Sequence, residues 1–177
     1  GRSIQKPYED GEETYNNDYY DRYVSGELFS QDSVHFDENL AYETTGGRTV
    51  YGGGGIMPDY FVGLDTTDNS AYVNRLVANN TIREYTLDFR DNHPELKNQS
   101  AEEFLATFEV TESMLKEVVA LGEKNGTRFN QRQFNKSKDL MKYLIKARIA
   151  REIYGDDNAF YKVFNQTNEI YREAIDL

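Results

Sequence analysis

The pattern of apolar and polar positions changes period once along the chain. Before Val62 the signal has period 2. Leu40-Ala41-Tyr42-Glu43-Thr44 alternates, and so does Arg48-Thr49-Val50-Tyr51, with Thr45-Gly46-Gly47 between them. Two alternating runs joined by a short glycine-bearing link predict a β-hairpin. Gly1 to Gln5 reads as a further short strand, stopped by Lys6-Pro7, and Tyr60-Phe61-Val62 as another β-type run. Between Arg48-Thr49-Val50-Tyr51 and Tyr60-Phe61-Val62 lies Gly52-Gly53-Gly54-Gly55, which marks a sharp turn or a close approach of two backbones. Pro58 then fixes one φ angle and holds Met57 extended.

From Asn69 onward the period is close to 3.6 and the prediction is helical. Thr67 or Asp68 is placed to cap a helix carrying Tyr72, Val73, Leu76 and Val77. Asn79-Asn80-Thr81 is a weak point, after which Ile82, Tyr85 and Phe89 form the stripe of a second helix that ends before Pro94. Ser100 with Glu103 makes a capping box for a short helix over 101–107. Thr111 caps the next, with Val110 and Leu115 as a hydrophobic staple, and Asn125-Gly126 ends it. Asn130 with Gln133, and Phe129 with Phe134, repeat the same start signals for a helix carrying Leu140, Met141, Leu144 and Ile145 to Gly155. A last helix follows Asp156-Asp157, with the stripe Phe160, Val163, Phe164, Thr167, Ile170, Tyr171 and Ala174. The short link at Gly155 makes the last two helices neighbours.

The fold class predicted is α+β, mostly α: an N-terminal β-strand and hairpin segment followed by a bundle of several helices. Residues 1–62 form the β-bearing part, with a Tyr-rich segment, 6–54, inserted in it. Residues 63–177 form a helical domain. Within the insertion, Tyr8 to Asp18 reads as an acidic loop. Asp18 to Val24 reads as a short helix ending near Gly26, with Tyr19, Tyr20 and Tyr23 on one face, expected to dock on the protein body.

Composition narrows the function. The chain has 177 residues, 31 acids, 20 bases and a net charge of −11. That balance disfavours nonspecific binding to nucleic acid or anionic lipid, which require basic surfaces. The sequence holds no cysteine, so disulfides, thiolate metal sites and cysteine nucleophiles are excluded. No run approaches the ~18 apolar residues of a membrane span. Mean hydropathy is −0.79, polar for a compact domain, and 14 Tyr with 10 Phe supply much of the apolar surface.

Candidate chemistry is sparse. Ser3 has no Lys or His at a spacing that would activate it. Asp32-Ser33-Val34-His35-Phe36-Asp37 contains Ser, His and Asp, but neighbours on an extended chain point apart and do not converge as a triad. His93 beside Pro94 reads as a helix-end residue. Asp65, Asp68, Asp156, Asp157 and Asn158 lack the alternating spacing of a calcium loop and read as helix caps. The glycine run lacks the Gly-Lys-Ser/Thr of a phosphate loop. No catalytic, cofactor-binding or metal-ligating residue is assigned.

Two motifs together resemble a known family. Gly1-Arg2-Ser3-Ile4-Gln5 and Gly55-Ile56-Met57-Pro58-Asp59 are similar to the G-R-S-I-Q and G-I-x-P-D strands that end the core of carboxy-terminal processing (tail-specific) serine peptidases. The form Tyr51-Gly52-Gly53-Gly54-Gly55-Ile56-Met57-Pro58-Asp59, with an insertion between the motifs, resembles members from Bacteroidetes-like bacteria. The direct match extends to Val62. In that family the nucleophilic serine, the lysine base and the PDZ module precede the first motif, and the motif serine is structural. The resemblance therefore implies a C-terminal piece of a serine endopeptidase that lacks the Ser/Lys dyad and is inactive alone. It implies a periplasmic or cell-envelope location, peptide or protein substrates acting through the parent enzyme, and unpaired β-edges through which copies could associate. The alternative reading is an autonomous helical protein-interaction module.

Overall fold

A computed structural model describes residues 3–6 and 11–177. The chain divides into two compact units, Gly1–Leu64 and Asp65–Leu177. The first holds the described β-structure and the second is helical, so the α+β, mostly α class is observed.

In the first unit, helix α1 spans Glu12–Ser25. The sequence suggested a loop as far as Asp18, and the helix begins six residues earlier. Glu12 and Glu13 occupy its first turn, where carboxylates oppose the positive end of the helix dipole. The end falls where expected. Gly26 adopts φ 89° and the Glu27 N–H donates to Arg22 O at 3.1 Å, closing the last turn. The tyrosines are not docked as expected: Tyr19 is 68% exposed and Tyr20 equally open. Tyr23 alone of the three meets a ring, the edge of Phe29 at 5.0 Å.

The hairpin forms in the expected register. Strand β1, Ala41–Glu43, pairs antiparallel with β2, Thr49–Tyr51, with Tyr42 opposite Val50. Gly47, at φ 79°, lies in the turn between Thr44 and Arg48. The other two strand expectations fail. Gly1 and Arg2 lie outside the described residues, and Ser3 to Gln5 is not a strand. Tyr60 to Val62 is not a strand either; beyond it, Leu64 N–H donates to Leu28 O at 2.7 Å, with no ladder.

The second unit contains α2 (Ala71–Ala78), α3 (Thr81–Asn92), α4 (Ala101–Thr107), α5 (Glu112–Lys124), α6 (Gln131–Lys136), α7 (Lys138–Tyr154), α8 (Asp157–Phe164) and α9 (Glu169–Asp176). Its caps follow the sequence closely. Ser100 Oγ accepts from Glu103 N, Thr111 Oγ1 from Met114 N, and Asn130 Oδ1 from Gln133 N. The first cap is Ser70 rather than Thr67 or Asp68, because Ser70 Oγ accepts from Val73 N while Asp65 instead receives the Thr67 N–H. The weak point is real: Asn80 takes φ 56° and separates α2 from α3.

Two predicted helices are each broken in two. Ser137 separates α6 from α7, its N–H shared between Gln133 O and Phe134 O. Asn165–Thr167 forms a 3-10 turn, with Thr167 Oγ1 donating to Phe164 O, and separates α8 from α9. The predicted last stripe ends with that break. Val163 is buried and Phe160 and Phe164 pack against the core, but Tyr171 is 44% exposed and α9 buries nothing.

Helix α7 is the axis of this unit. Met141, Leu144, Ile145, Ala147, Ile149, Ala150 and Ile153 are all buried, on more than one face. A helix apolar around much of its circumference belongs at the centre of a core. It packs against α3, α4 and α8, while α2 and α5 pack against α3. Gly122 in α5 leaves room for Leu76, whose Cδ2 would lie 2.6 Å from any Cβ there.

Candidate functional site

The motif-bearing segments meet around the hairpin. Asp37 caps a 3-10 turn over Glu38–Leu40 by accepting from Asn39 N, and the chain enters β1 from it. After β2, Gly52 N–H donates to Leu40 O, carrying the pairing one step past the strands. Gly53 N–H then donates to Ser3 O and Gly55 N–H to Ile4 O, each at 2.8 Å. Both glycines have positive φ, 75° and 93°, which turns alternate N–H groups toward the Ser3-Ile4 backbone. At Gly53 a Cβ would also meet Leu40 Cδ1 at 2.8 Å. The glycine run thus brings two backbones together where a side chain would hold them apart. Arg48 pairs with Asp59, tying the hairpin to the segment after the glycines.

A cleft of about 320 Å³ opens here, lined by Ser3, Gln5, Lys6, Leu40 and Tyr42 with Gly52 and Gly53. Its lining is mainly apolar, with a few polar groups at its edge. Ser3 Oγ makes only a long contact with Gln5 O, 3.5 Å, and Lys6 Nζ is paired with Asp18 at 2.6 Å. The cleft therefore brings Ser3 and a lysine to one surface without making them a catalytic pair.

The other candidates have structural partners. His35 Nδ1 lies 2.8 Å from Ser33 O, and His93 Nδ1 2.8 Å from Phe89 O with its ring stacked on Phe89. Asp65 accepts the Thr67 N–H, and that hydrogen bond holds its carboxyl below the usual carboxylate range. Asp156 caps α8 through Asn158 N, and Asp157 pairs with Arg151 at 2.8 Å. Among the described residues no group of three or more His, Asp or Glu is placed to hold a metal ion.

The strongest electrostatic perturbations lie in the helical unit. Burial pushes the Tyr72 phenol up to about 12, with Glu123 adding to the shift. Burial and the hydrogen bond to Glu117, 3.0 Å away, raise Tyr85. Lys146 is lowered by burial while its Nζ donates to Leu105 O at the end of α4. Arg148 is half-buried, and burial and two neighbouring arginines lower it. Sequence reading placed Tyr72 and Tyr85 in helical stripes but singled out neither Lys146 nor Arg148. A signal existed for Arg148: it stands between Ala147 and Ile149 in a stretch that is otherwise nearly all core.

Residues 72–155 match a family model described as a family of unknown function (DUF8443), which lies wholly within the helical unit and covers somewhat under half the chain. No curated protein and no solved structure matches.

Proposed function

We propose that this chain belongs to a serine endopeptidase of the carboxy-terminal processing type, acting at the cell envelope on protein and peptide substrates. In this reading residues 1–64 complete the edge of a catalytic sheet and residues 65–177 form an accessory helical region. The supporting observation is the pair of hydrogen bonds from Gly53 and Gly55 to Ser3 and Ile4. The two segments that resemble the family's closing motifs are 50 residues apart in sequence and side by side in space. Their apolar side chains point to a missing surface, since Ile4 is 47% and Ile56 71% exposed. The nucleophile and the lysine base lie outside these residues in this reading. The coding sequence upstream of Gly1 is the direct test: a serine and a lysine in family order support it, and a stop codon or an unrelated domain there refutes it. The pure chain is expected not to cleave casein or an unfolded peptide. Cleavage abolished by Ser3→Ala would overturn the assignment of chemistry to other residues.

A second reading, a self-contained helical interaction module, is favoured by one feature. The helical unit builds its whole core from its own residues, Tyr72 to Val163. A fragment spanning 65–177 that unfolds cooperatively as a monomer supports that reading, and one that aggregates counts against it.

A further inference from the structure

Helix α1 has two unlike faces. On one, Asp18 and Arg22 are half-buried and each is held by an opposite charge, Asp18 by Lys6 at 2.6 Å and Arg22 by Glu27 at 2.9 Å. The other face meets water. At about 3.6 residues per turn, Glu12, Asn16, Tyr19, Tyr20 and Tyr23 fall within about 100° of the helix circumference, with Glu13 beside them. All six are exposed.

Three open tyrosine rings on one helix face form an apolar patch of the kind that marks a contact surface. A tyrosine ring also attracts a cation to its face. The carboxylates beside the rings set the sign of what can cover them. Glu12 and Glu13 have no ion-pair partner among the described residues. The described lysine and arginines of this unit are Lys6, Arg22 and Arg48, and each is already engaged, Arg48 by Asp59. A second copy laid face to face would set the same acids together, and they would repel. The face is matched by a partner that brings its own positive charge.

We propose that the outer face of α1 docks a basic polypeptide segment in extended conformation, with arginines over the tyrosine rings and against Glu12 and Glu13. The face runs about 16 Å from Glu12 to Tyr23, and an extended chain of about six residues covers that length. Alternate residues of an extended chain share one side, so three arginines reach α1 together. Arginine fits better than lysine, because its planar guanidinium both stacks on a ring and grips a carboxylate through two N–H groups. This docking needs no peptidase chemistry and stands whether or not the parent protein is an enzyme.

The test titrates the full chain, labelled with nitrogen-15, with a capped hexapeptide alternating arginine and glycine. A lysine–glycine peptide, a glutamate–glycine peptide and maltohexaose run as separate arms at physiological ionic strength. Saturable binding of the arginine peptide is expected, with amide shifts concentrated in residues 12–25 and weaker binding of the lysine peptide. Tyr19→Ala with Tyr20→Ala should weaken it about ten-fold, the loss of two exposed cation–π contacts. Glu12→Gln with Glu13→Gln should weaken it about three-fold, while Glu43→Gln, on β1, should leave it nearly unchanged. No saturable binding, equal binding of the lysine and arginine peptides, or full affinity in the double tyrosine variant would overturn the proposal. So would preferred binding of maltohexaose, which would make the face a glycan platform, or self-association of the chain through 12–25. If the tyrosine variant loses the amide pattern of α1, the shift map of the unaltered chain decides, and shifts centred outside 12–25 overturn the site.

Discussion

The two units put similar residues to different uses. Among the described residues up to Leu64 none is fully buried, although this stretch carries Ile4, Val24, Phe29, Phe36, Ile56 and several tyrosines. From Tyr72 to Val163 the chain buries nineteen apolar residues, seventeen of them in one continuous cluster. The first unit is held by backbone hydrogen bonds, a few ion pairs and ring contacts such as Phe36 on Tyr51 at 4.5 Å. Each of those exchanges a bond with water for a bond within the protein and nets on the order of 1 kcal/mol. Ordering the backbone costs about 1–2 kcal/mol per residue, and burial of apolar surface is the main term that offsets it. Specific local geometry is thus present in both units, and a core in one. The order of the first unit thus rests on local geometry, and that of the second on burial.

The comparison can be broken most sharply at Phe104. It is fully buried, stacked on Phe108 at 4.5 Å and met edge-on by Tyr154. Phe104→Ala should cost about 3–5 kcal/mol in urea unfolding. Phe164, only partly buried, should cost clearly less when truncated. Equal losses at the two sites would mean that the core extends further toward α9 than described.

Gly53→Ala tests the other side. A Cβ there meets Leu40, and φ 75° is strained for alanine, so the hairpin should lose about 1–3 kcal/mol of local stability. Amide exchange should speed up at Gly53 and Gly55 while the urea midpoint of the helical unit stays put. A shift of that midpoint would show that the two units unfold as one.

Tyr72 sharpens the picture of the core. Its ring is buried but its hydroxyl has no partner among the described residues. Tyr72→Phe should therefore stabilise the helical unit by about 1 kcal/mol, and a loss of that size would reveal a hydrogen bond or bound water. The folded phenol titrates at about 12 against 10.0 unfolded. A raised pKa contributes stability that is complete below pH 10 and is lost as pH rises toward 12. Tyr72→Phe should remove that part of the alkaline loss.

The smallest effect is at Glu112, which pairs with Lys138 at 2.7 Å on the surface. That partner holds its carboxyl below the usual carboxylate range. The contribution is present above pH 4.5 and disappears as pH falls through the lower, folded value. Glu112→Gln should flatten this acid limb slightly at low salt and not at all at high salt.

What could be read in advance followed from how local each signal is. Ser100, Thr111, Asn130, Gly26 and the Thr45-Gly46-Gly47 link act on backbone within a few residues, and the observed caps and turns agree with them. The failures involve competition or distance. Ser137 and Asn165 to Thr167 break helices that their apolar stripes would continue, because side-chain periodicity does not record where the backbone hydrogen bonds change partner. Ser3 to Gln5 has strand character but finds glycine N–H groups rather than a ladder. The early start of α1 was hidden by acids that suit a first helical turn as well as a loop. For the candidate sites, sequence showed only which residue types were present. That Arg90 reaches Glu152 depends on how α3 packs on α7, which no local pattern encodes.

The central position of α7 has a consequence for the order of assembly. Helices α2 to α5 offer Leu76, Ile82, Phe104 and Leu115 to a core whose axis is made only after them. The Tyr154 hydroxyl at the far end of α7 lies 3.3–3.4 Å from the carbonyls of Leu96, Gln99 and Ser100, more than fifty residues back. A ribosome adding ~5–20 residues per second would need on the order of ten seconds to pass from α2 to the end of α7. Throughout that interval the earlier helices have one another to pack on but not the axis that α7 supplies. Nascent chains that end between α5 and α7 are therefore expected to be cut by protease more readily than chains that include α7.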